Sequence, residues 1–379
     1  MNLGFPMWEV FFQEDYLDLD KEKSLIIFKI HRVIADGMSI LLIISNLFEK
    51  KITFEETNHW DLSSFLNFLK VILVFLSSFL YYGIFLTPIY VIFDLLKLFR
   101  NPRRNLTFHN IRNRKYQENS VENLTNFSHK KIFMTKNFRF EDIRKIYKQH
   151  PVGGNGTGTG SGSNLTLNDI CLVLLTRAVS SAYFKFVCES ERTQIYSNPN
   201  TLLSVVGVNA NPHVFSQIGN YSAGKLIKID LKKISDCSNM NNIVKDIFSA
   251  FSLTKNKRMI YYGICLYNFL AKFIRDDDIL YKFAQIALKN VLYLLSNIQG
   301  PQDTIKLQNS KEISEVMTFI PCSCLLFSVL VLSYGGNFRF YVLTHQEYQN
   351  IVTEIVNNLE IEIERLIINK SKIKFIQSI

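Results

Sequence analysis

Residues 71–93 run for 23 positions without a charged side chain, VILVFLSSFLYYGIFLTPIYVIF. As a helix this stretch would be about 34 Å long, more than the roughly 30 Å of a bilayer's hydrocarbon core. It is apolar on every side, so either lipid or other parts of the protein must cover it. Gly83 and Thr87-Pro88 interrupt it, and proline breaks a continuous helix. Three arrangements in contact with a membrane follow: a span, a re-entrant hairpin bent at those residues, or a segment lying in the membrane surface. The last two keep both flanks of the chain on one side of the bilayer and are preferred. Arg100, Arg103, Arg104, Arg112, Arg114 and Lys115 come next and would rest on anionic headgroups at the cytosolic side. A fully buried core helix is the arrangement that needs no membrane.

The rest of the chain has enough apolar residues to build cores of its own. Of 379 residues, 47% are hydrophobic, sufficient for two domains. A net charge of +10 favours anionic partners such as headgroups or CoA phosphates. Nucleic acid is set aside, because no zinc-finger spacing, helix-turn-helix cue or aromatic RNA-binding pattern is present. The six cysteines, at 171, 188, 237, 265, 322 and 324, include no Cys-x-x-Cys pair and read as reduced, buried thiols. Met1 to Met7 shows no secretory leader. No metal site is expected: the acidic triplet Asp276-Asp277-Asp278 reads as a solvated turn. The glycine-rich run 152–163 lacks the Lys-Ser/Thr of a phosphate loop and reads as a flexible insertion.

Chemistry is concentrated around Phe28-Lys29-Ile30-His31-Arg32-Val33-Ile34-Ala35-Asp36-Gly37-Met38-Ser39. Leu25 to Phe28 reads as a buried strand, Asp36-Gly37 as a turn, and Ile40 onward as a helix with an apolar face, Ser39 offering a capping oxygen. A strand over Pro6–Phe12 and a charged hairpin loop over Asp15–Lys23 precede it. Downstream, Lys131–Thr135 reads as a strand, 140–149 and 164–187 as helices, Leu202–Val208 as a buried strand, and 238–256 and 258–295 as helical blocks. Leu325–Ser333, Ser333-Tyr334-Gly335-Gly336 and Phe338–Leu343 make a β-hairpin. Residues 346–367 form an amphipathic helix with Tyr348, Ile351, Ile355, Leu359, Ile363 and Leu366 on one face.

Five motifs in order carry a resemblance. His31-Arg32-x-x-x-Asp36-Gly37 resembles the His-His-x-x-x-Asp-Gly signature of the wax ester synthase / acyl-CoA:diacylglycerol acyltransferase family. Asn168-Asp169 is similar to its Asn-Asp pair, Ile218-Gly219-Asn220 to its Leu-Gly-Asn segment, Ser296-Asn297-Ile298-Gln299-Gly300-Pro301 to its Ser-Asn-Val-Pro-Gly-Pro turn, and Ser333-Tyr334-Gly335-Gly336 to its closing hairpin. The resemblance implies an α/β (α+β) fold of two chloramphenicol-acetyltransferase-like lobes with mixed sheets, here with the apolar, membrane-contacting helical insertion added. It implies a partial N-terminal lobe at 1–60, truncated relative to the family, the insertion at 61–99, a basic linker at 100–130 and a C-terminal lobe at 131–379.

The implied reaction is transfer of a fatty acyl group from acyl-CoA, a co-substrate rather than a bound cofactor, to diacylglycerol or a long-chain alcohol. His31, Asp36 and Gly37 would be the catalytic-motif residues, and Asn168, Asp169 and Asn220 would support the substrate channel. The implied setting is a membrane, endoplasmic reticulum or plasma membrane, with both lobes facing the cytosol. In the family the second histidine of the signature is the base, and Arg32 stands at that position. Arginine stays protonated at biological pH and accepts no proton. Three readings therefore stand open: an acyltransferase that recruits His31 through a local slip of the strand; a catalytically dead protein that binds acyl-CoA or lipid, or a gene fragment; or a membrane-associated protein with an unrelated role. His31 itself also reads as a buried histidine satisfied by hydrogen bonds.

Overall fold

The computed structural model describes residues 8–18, 21–31, 35–37, 39–40, 43–44, 89, 92, 130–148, 151–152, 163–164, 167–186, 201–209, 222–230, 291–306, 312–320 and 325–368. The stretch 71–93, apart from Ile89 and Ile92, lies outside them. So do Arg32, Asn220, the basic linker up to 129, the inside of the glycine run, the acidic triplet, every cysteine but Cys171, and the helical blocks as far as residue 290. No helix among the described residues is long and apolar enough to cross a membrane. The chain divides into two compact units: Met1–Trp60 with Asn211–Ser222 and Ile305–Ile313, and Asp61–Ala210 with Ala223–Thr304 and Ser314–Ile379.

In the first unit, β1 (Trp8–Asp18) and β2 (Lys21–Ile30) form an antiparallel two-stranded sheet. The charged stretch 15–23 is therefore mostly strand rather than loop, and only residues 19–20 separate the two strands. A two-stranded ribbon leaves much of its surface in water, as the cross-strand pair Glu9–Lys29, 2.8 Å apart with Lys29 exposed, shows. For the same reason Leu25 to Phe28 is not the buried strand its apolar run suggests. Ile27 is exposed and Leu25, Ile26 and Phe28 are half-buried. Ile305 and Ile313 close a second small element of this unit through a 2.9 Å backbone hydrogen bond beside the Lys306–Glu312 ion pair.

The second unit is built on a seven-stranded sheet. Its strands are β3 (Lys130–Met134), β4 (Phe138–Arg139), β7 (Thr201–Asn209), β8 (Ser222–Asp230), β9 (Tyr293–Gln299), β10 (Phe327–Tyr334) and β11 (Asn337–His345), in the order β3-β11-β10-β9-β7-β8, with β4 paired to β11. The minor strands β5 (Pro151–Val152) and β6 (Ser163–Asn164) pair separately. β7, β9 and β10 are mutually parallel, while β11 runs antiparallel to β10 and β3, so the sheet is mixed. β9 corrects the sequence reading. Tyr293–Leu295 belongs to a strand rather than to the end of a helix, because its apolar side chains are buried on both faces as a central parallel strand requires.

The β10–β11 hairpin turns at Gly335 and Gly336, whose φ of +56° and +74° only glycine adopts without strain. All eight residues of β10 are buried. Alternation sends Phe327, Val329 and Val331 to one face, in register with Tyr293 and Leu295 of β9 and with Phe340 and Val342 of β11. Three helices bury that face: α1 (Phe140–Lys148), α2 (Leu167–Phe186) and α3 (Gln349–Ile368). Ile351, Ile355, Leu359, Ile363 and Leu366 of α3 are all buried, as their spacing predicts.

α3 runs antiparallel to α2, as the pairs Arg177–Glu362 and Lys185–Glu354 require. Glu362 is 5% exposed and accepts from Arg177 Nε at 2.5 Å and Arg365 Nη1 at 2.8 Å. Across the sheet, residues 314–320 lie over the second face. Tyr341 donates its hydroxyl to the Val316 carbonyl (3.2 Å), Ser328 donates to the Ile320 carbonyl (2.7 Å), and Arg339 pairs with Glu315.

Candidate functional site

β2 ends at Ile30, and His31 follows it, exposed. The chain then reaches Ala35 and Asp36, both buried, and turns into a helix that includes Gly37, Ser39 and Ile40. Asp36 starts that helix. Its Oδ1 accepts from the Ser39 backbone N–H at 2.9 Å, and its carbonyl accepts from Ile40 N–H at 2.9 Å, the first helical bond. This is the geometry of an N-cap, with the side chain reaching the third residue of the helix. The cap is therefore Asp36 and not Ser39, whose contribution is the backbone N–H that receives the carboxylate. A carboxylate suits the place twice, since it satisfies an orphan donor and faces the positive end of the helix. Asp36 is thus a positioning group in this geometry. Gly37, half-buried, is the first residue of that helix.

His31 differs. It stands exposed at the strand end, five residues before the cap, rather than inside the hydrophobic core. An imidazole offers a nitrogen that can accept a hydrogen bond, which a guanidinium does not.

Of the residues expected to support the channel, Asn168 and Asp169 fall in the second unit. Asn168 and Asp169 occupy the first turn of α2, where an acidic side chain complements the helix dipole. Asp169 is 1% exposed, and the Asn168 Oδ1 is buried without a hydrogen-bond partner. One turn on, Cys171 is fully buried. Desolvation, helped by the nearby Asp169 charge, pushes its thiol well above the usual range, so it is no nucleophile. Asn220 lies outside the described residues.

Ser296-Asn297 and Gly300-Pro301 stand at the carboxyl end of β9. A Cβ at Gly300 would meet the Ser333 carbonyl oxygen at 2.3 Å, so only glycine lets this turn lie against β10. Two backbone hydrogen bonds fix it there, Gly300 N–H to Ser333 O and Gly335 N–H to Pro301 O, each 3.0 Å. The turn resembling Ser-Asn-Val-Pro-Gly-Pro and the hairpin resembling Ser-Tyr-x-Gly are thus one packed unit, a junction that the sequence motifs do not reveal separately. Among the described residues no cluster of His, Cys, Asp and Glu gathers as a metal would need.

A mixed α/β fold of this kind, a mixed sheet with helices, is similar to CoA-dependent acyltransferase structures. The trichothecene 15-O-acetyltransferase from Fusarium sporotrichioides aligns with a TM-score of 0.50 at 12% identity, over 93% of this chain and 70% of that one. The wax ester synthase/diacylglycerol acyltransferase from Marinobacter aquaeolei VT8 aligns with a TM-score of 0.47 at 15% identity, over 96% and 71%. No curated protein matches the sequence. Residues 219–367 match the WS/DGAT C-terminal domain.

Proposed function

We propose that the chain is an O-acyltransferase that moves a fatty acyl group from acyl-CoA to diacylglycerol or a long-chain alcohol, giving triacylglycerol or wax ester. The observation that carries this reading is the WS/DGAT C-terminal domain over 219–367 in a chain whose His31 stands exposed before an Asp36-capped helix. In the reaction His31 takes the proton of the acceptor hydroxyl as its oxygen attacks the thioester carbonyl. The C–S bond then breaks, and the CoA thiolate leaves and recovers the proton. Asp36 holds the helix start that orients the strand end and does not itself react.

Two greasy substrates suit a protein beside a bilayer. The uncharged stretch 71–93 and the basic cluster from Arg100 to Lys115 support membrane association, as a re-entrant or surface segment, with the catalytic units on the cytosolic side of the endoplasmic reticulum or plasma membrane.

The test is ester formation by the purified chain supplied with palmitoyl-CoA and either hexadecanol or dioleoylglycerol. Activity is expected to fall by about 10²–10⁴-fold in His31→Ala, the usual worth of a general base. One observation favours a second reading. Arg32 fills the place of the family's base, so the chain is a binding protein without turnover if the wild type binds acyl-CoA but forms ester only after Arg32→His. Absence of acyl-CoA binding altogether would overturn both.

A further inference from the structure

Buried polar atoms are almost always hydrogen-bonded, and an exception asks for an explanation. At the amino end of β9 the rule holds: the Tyr293 hydroxyl and Thr176 Oγ1 of α2 lie 3.4 Å apart and satisfy each other. At the carboxyl end it fails. Asn297 Oδ1 on β9 and Ser333 Oγ on β10 are both buried with no hydrogen-bond partner. Ser333 is 1% exposed and Asn297 half-buried.

The two atoms belong together. β9 and β10 are parallel, with Val331 opposite Asn297 and Ser333 opposite Gln299, so Ser333 and Asn297 are diagonal neighbours. Both fall in the alternation that also directs Tyr293, Leu295, Val329 and Val331 toward the helices, and therefore share that face. Diagonal neighbours on adjoining strands stand about 7–8 Å apart, close enough for one small group to bond both side chains. Their backbones cannot drift apart to reach water, because the Gly300 turn is clamped on Ser333 by the close approach described above. The site also lies where parallel strands end, at the carboxyl edge along which open α/β sheets bind ligands.

The geometry points to Asn297 and Ser333 as a ligand-binding pair that receives a hydrogen-bond donor from a substrate. The Asn297 oxygen can only accept, and the Ser333 hydroxyl completes the site by accepting or donating. Resting on the acyltransferase reading, this deepens it by naming a positioning site in the C-terminal domain. The donor is a neutral N–H or O–H, with two possible sources: an amide of the CoA pantetheine arm or the hydroxyl of the lipid acceptor. A charged group is disfavoured, since no opposite charge stands among the residues of the pair.

The experiment titrates the full chain with coenzyme A and, separately, with dodecanol in detergent, at a temperature well below unfolding. Wild type is compared with Ser333→Ala and with Asn297→Leu, which removes the acceptor at similar volume, and each protein is also melted. The inference expects both variants to bind one of the probes about 3- to 10-fold more weakly while melting no lower than wild type, since each loses a polar atom that had no partner. Weakened coenzyme A binding identifies the pantetheine amide, and weakened dodecanol binding the acceptor hydroxyl. Unchanged affinity for both probes overturns the inference and leaves the acyltransferase reading standing. Unchanged affinity with a lower melting temperature overturns it in favour of a structural water. A wild type that binds neither probe removes the acyltransferase reading and this inference with it.

Discussion

The β1–β2 ribbon and the β9–β11 sheet are made of similar sequence and end in opposite states. Register in the ribbon sets Trp8, Val10 and Phe12 opposite Ile30, Phe28 and Ile26, six apolar side chains on one face. Trp8 is nevertheless 63% exposed and Phe12 59%. In the larger sheet, Phe327, Val329, Phe340 and Val342 are at most 1% exposed, because α1, α2 and α3 lie over them. Apolar alternation makes a strand; only a second layer turns that strand into a core. Stability in the described residues is therefore concentrated in the sheet unit, whereas the His31 strand end is carried by a ribbon that buries little.

The sharpest way to break this contrast is a cavity in the larger sheet. Phe340→Ala is expected to cost about 3–5 kcal/mol, read as a lower urea midpoint. Next comes Glu362→Ala, which removes the buried carboxylate that Arg177, 18% exposed, and Arg365 donate to. A loss of about 3 kcal/mol is expected, at the low end for a broken buried pair because Arg177 keeps some access to water. In the first unit the effects shrink. Asp36→Ala should cost about 1 kcal/mol, the worth of an N-cap, and Asp36→Asn should restore most of it. Phe12→Ser, on the ribbon's open face, should change stability by no more than about 0.5 kcal/mol. A Phe12→Ser loss comparable to that of Phe340→Ala would end the contrast.

Alkaline titration sharpens the same point. Burial raises the Cys171 thiol and, more mildly, the Tyr341 hydroxyl above their usual values. Both groups then release protons at lower pH in the unfolded chain than in the folded one. Stability of the sheet unit is thus fully present below the unfolded thiol value and declines as pH rises through about 8.5 to 10. Cys171 in the native chain should resist iodoacetamide at pH 8.

Legibility followed the same divide. The β10–β11 hairpin and α3 could be read because their patterns were strong: glycines where φ must be positive, and apolar residues at helical spacing. The strand character of Tyr293–Leu295 could not, since a short apolar run buried on both faces has no period that separates it from a buried helix. The ribbon strands run longer than the sequence suggests, because a run of charged residues is compatible with a loop and with an exposed strand alike. Ser39 reads from the sequence as the capping residue and Asp36-Gly37 as a turn; the chain's path gives the cap to Asp36 instead. Glu362 had a faint signal: it follows Ile355 and Leu359 at the spacing of the buried stripe, where an acid needs a partner. The Asn297–Ser333 pair was invisible, since it depends on the pairing of β9 with β10, two strands separated by a long stretch of chain.

One modest element bears on how this chain can vary. The ladder joining Pro151 to Asn164 and Val152 to Ser163 brings the two borders of the glycine run side by side. Whatever the length between those borders, the chain re-enters α2 at the same place. Doubling the number of residues there costs only about 0.6 kcal/mol of closure entropy. The run is therefore a natural port for a tag or a fluorescent reporter, one that leaves the register of the seven-stranded sheet unchanged.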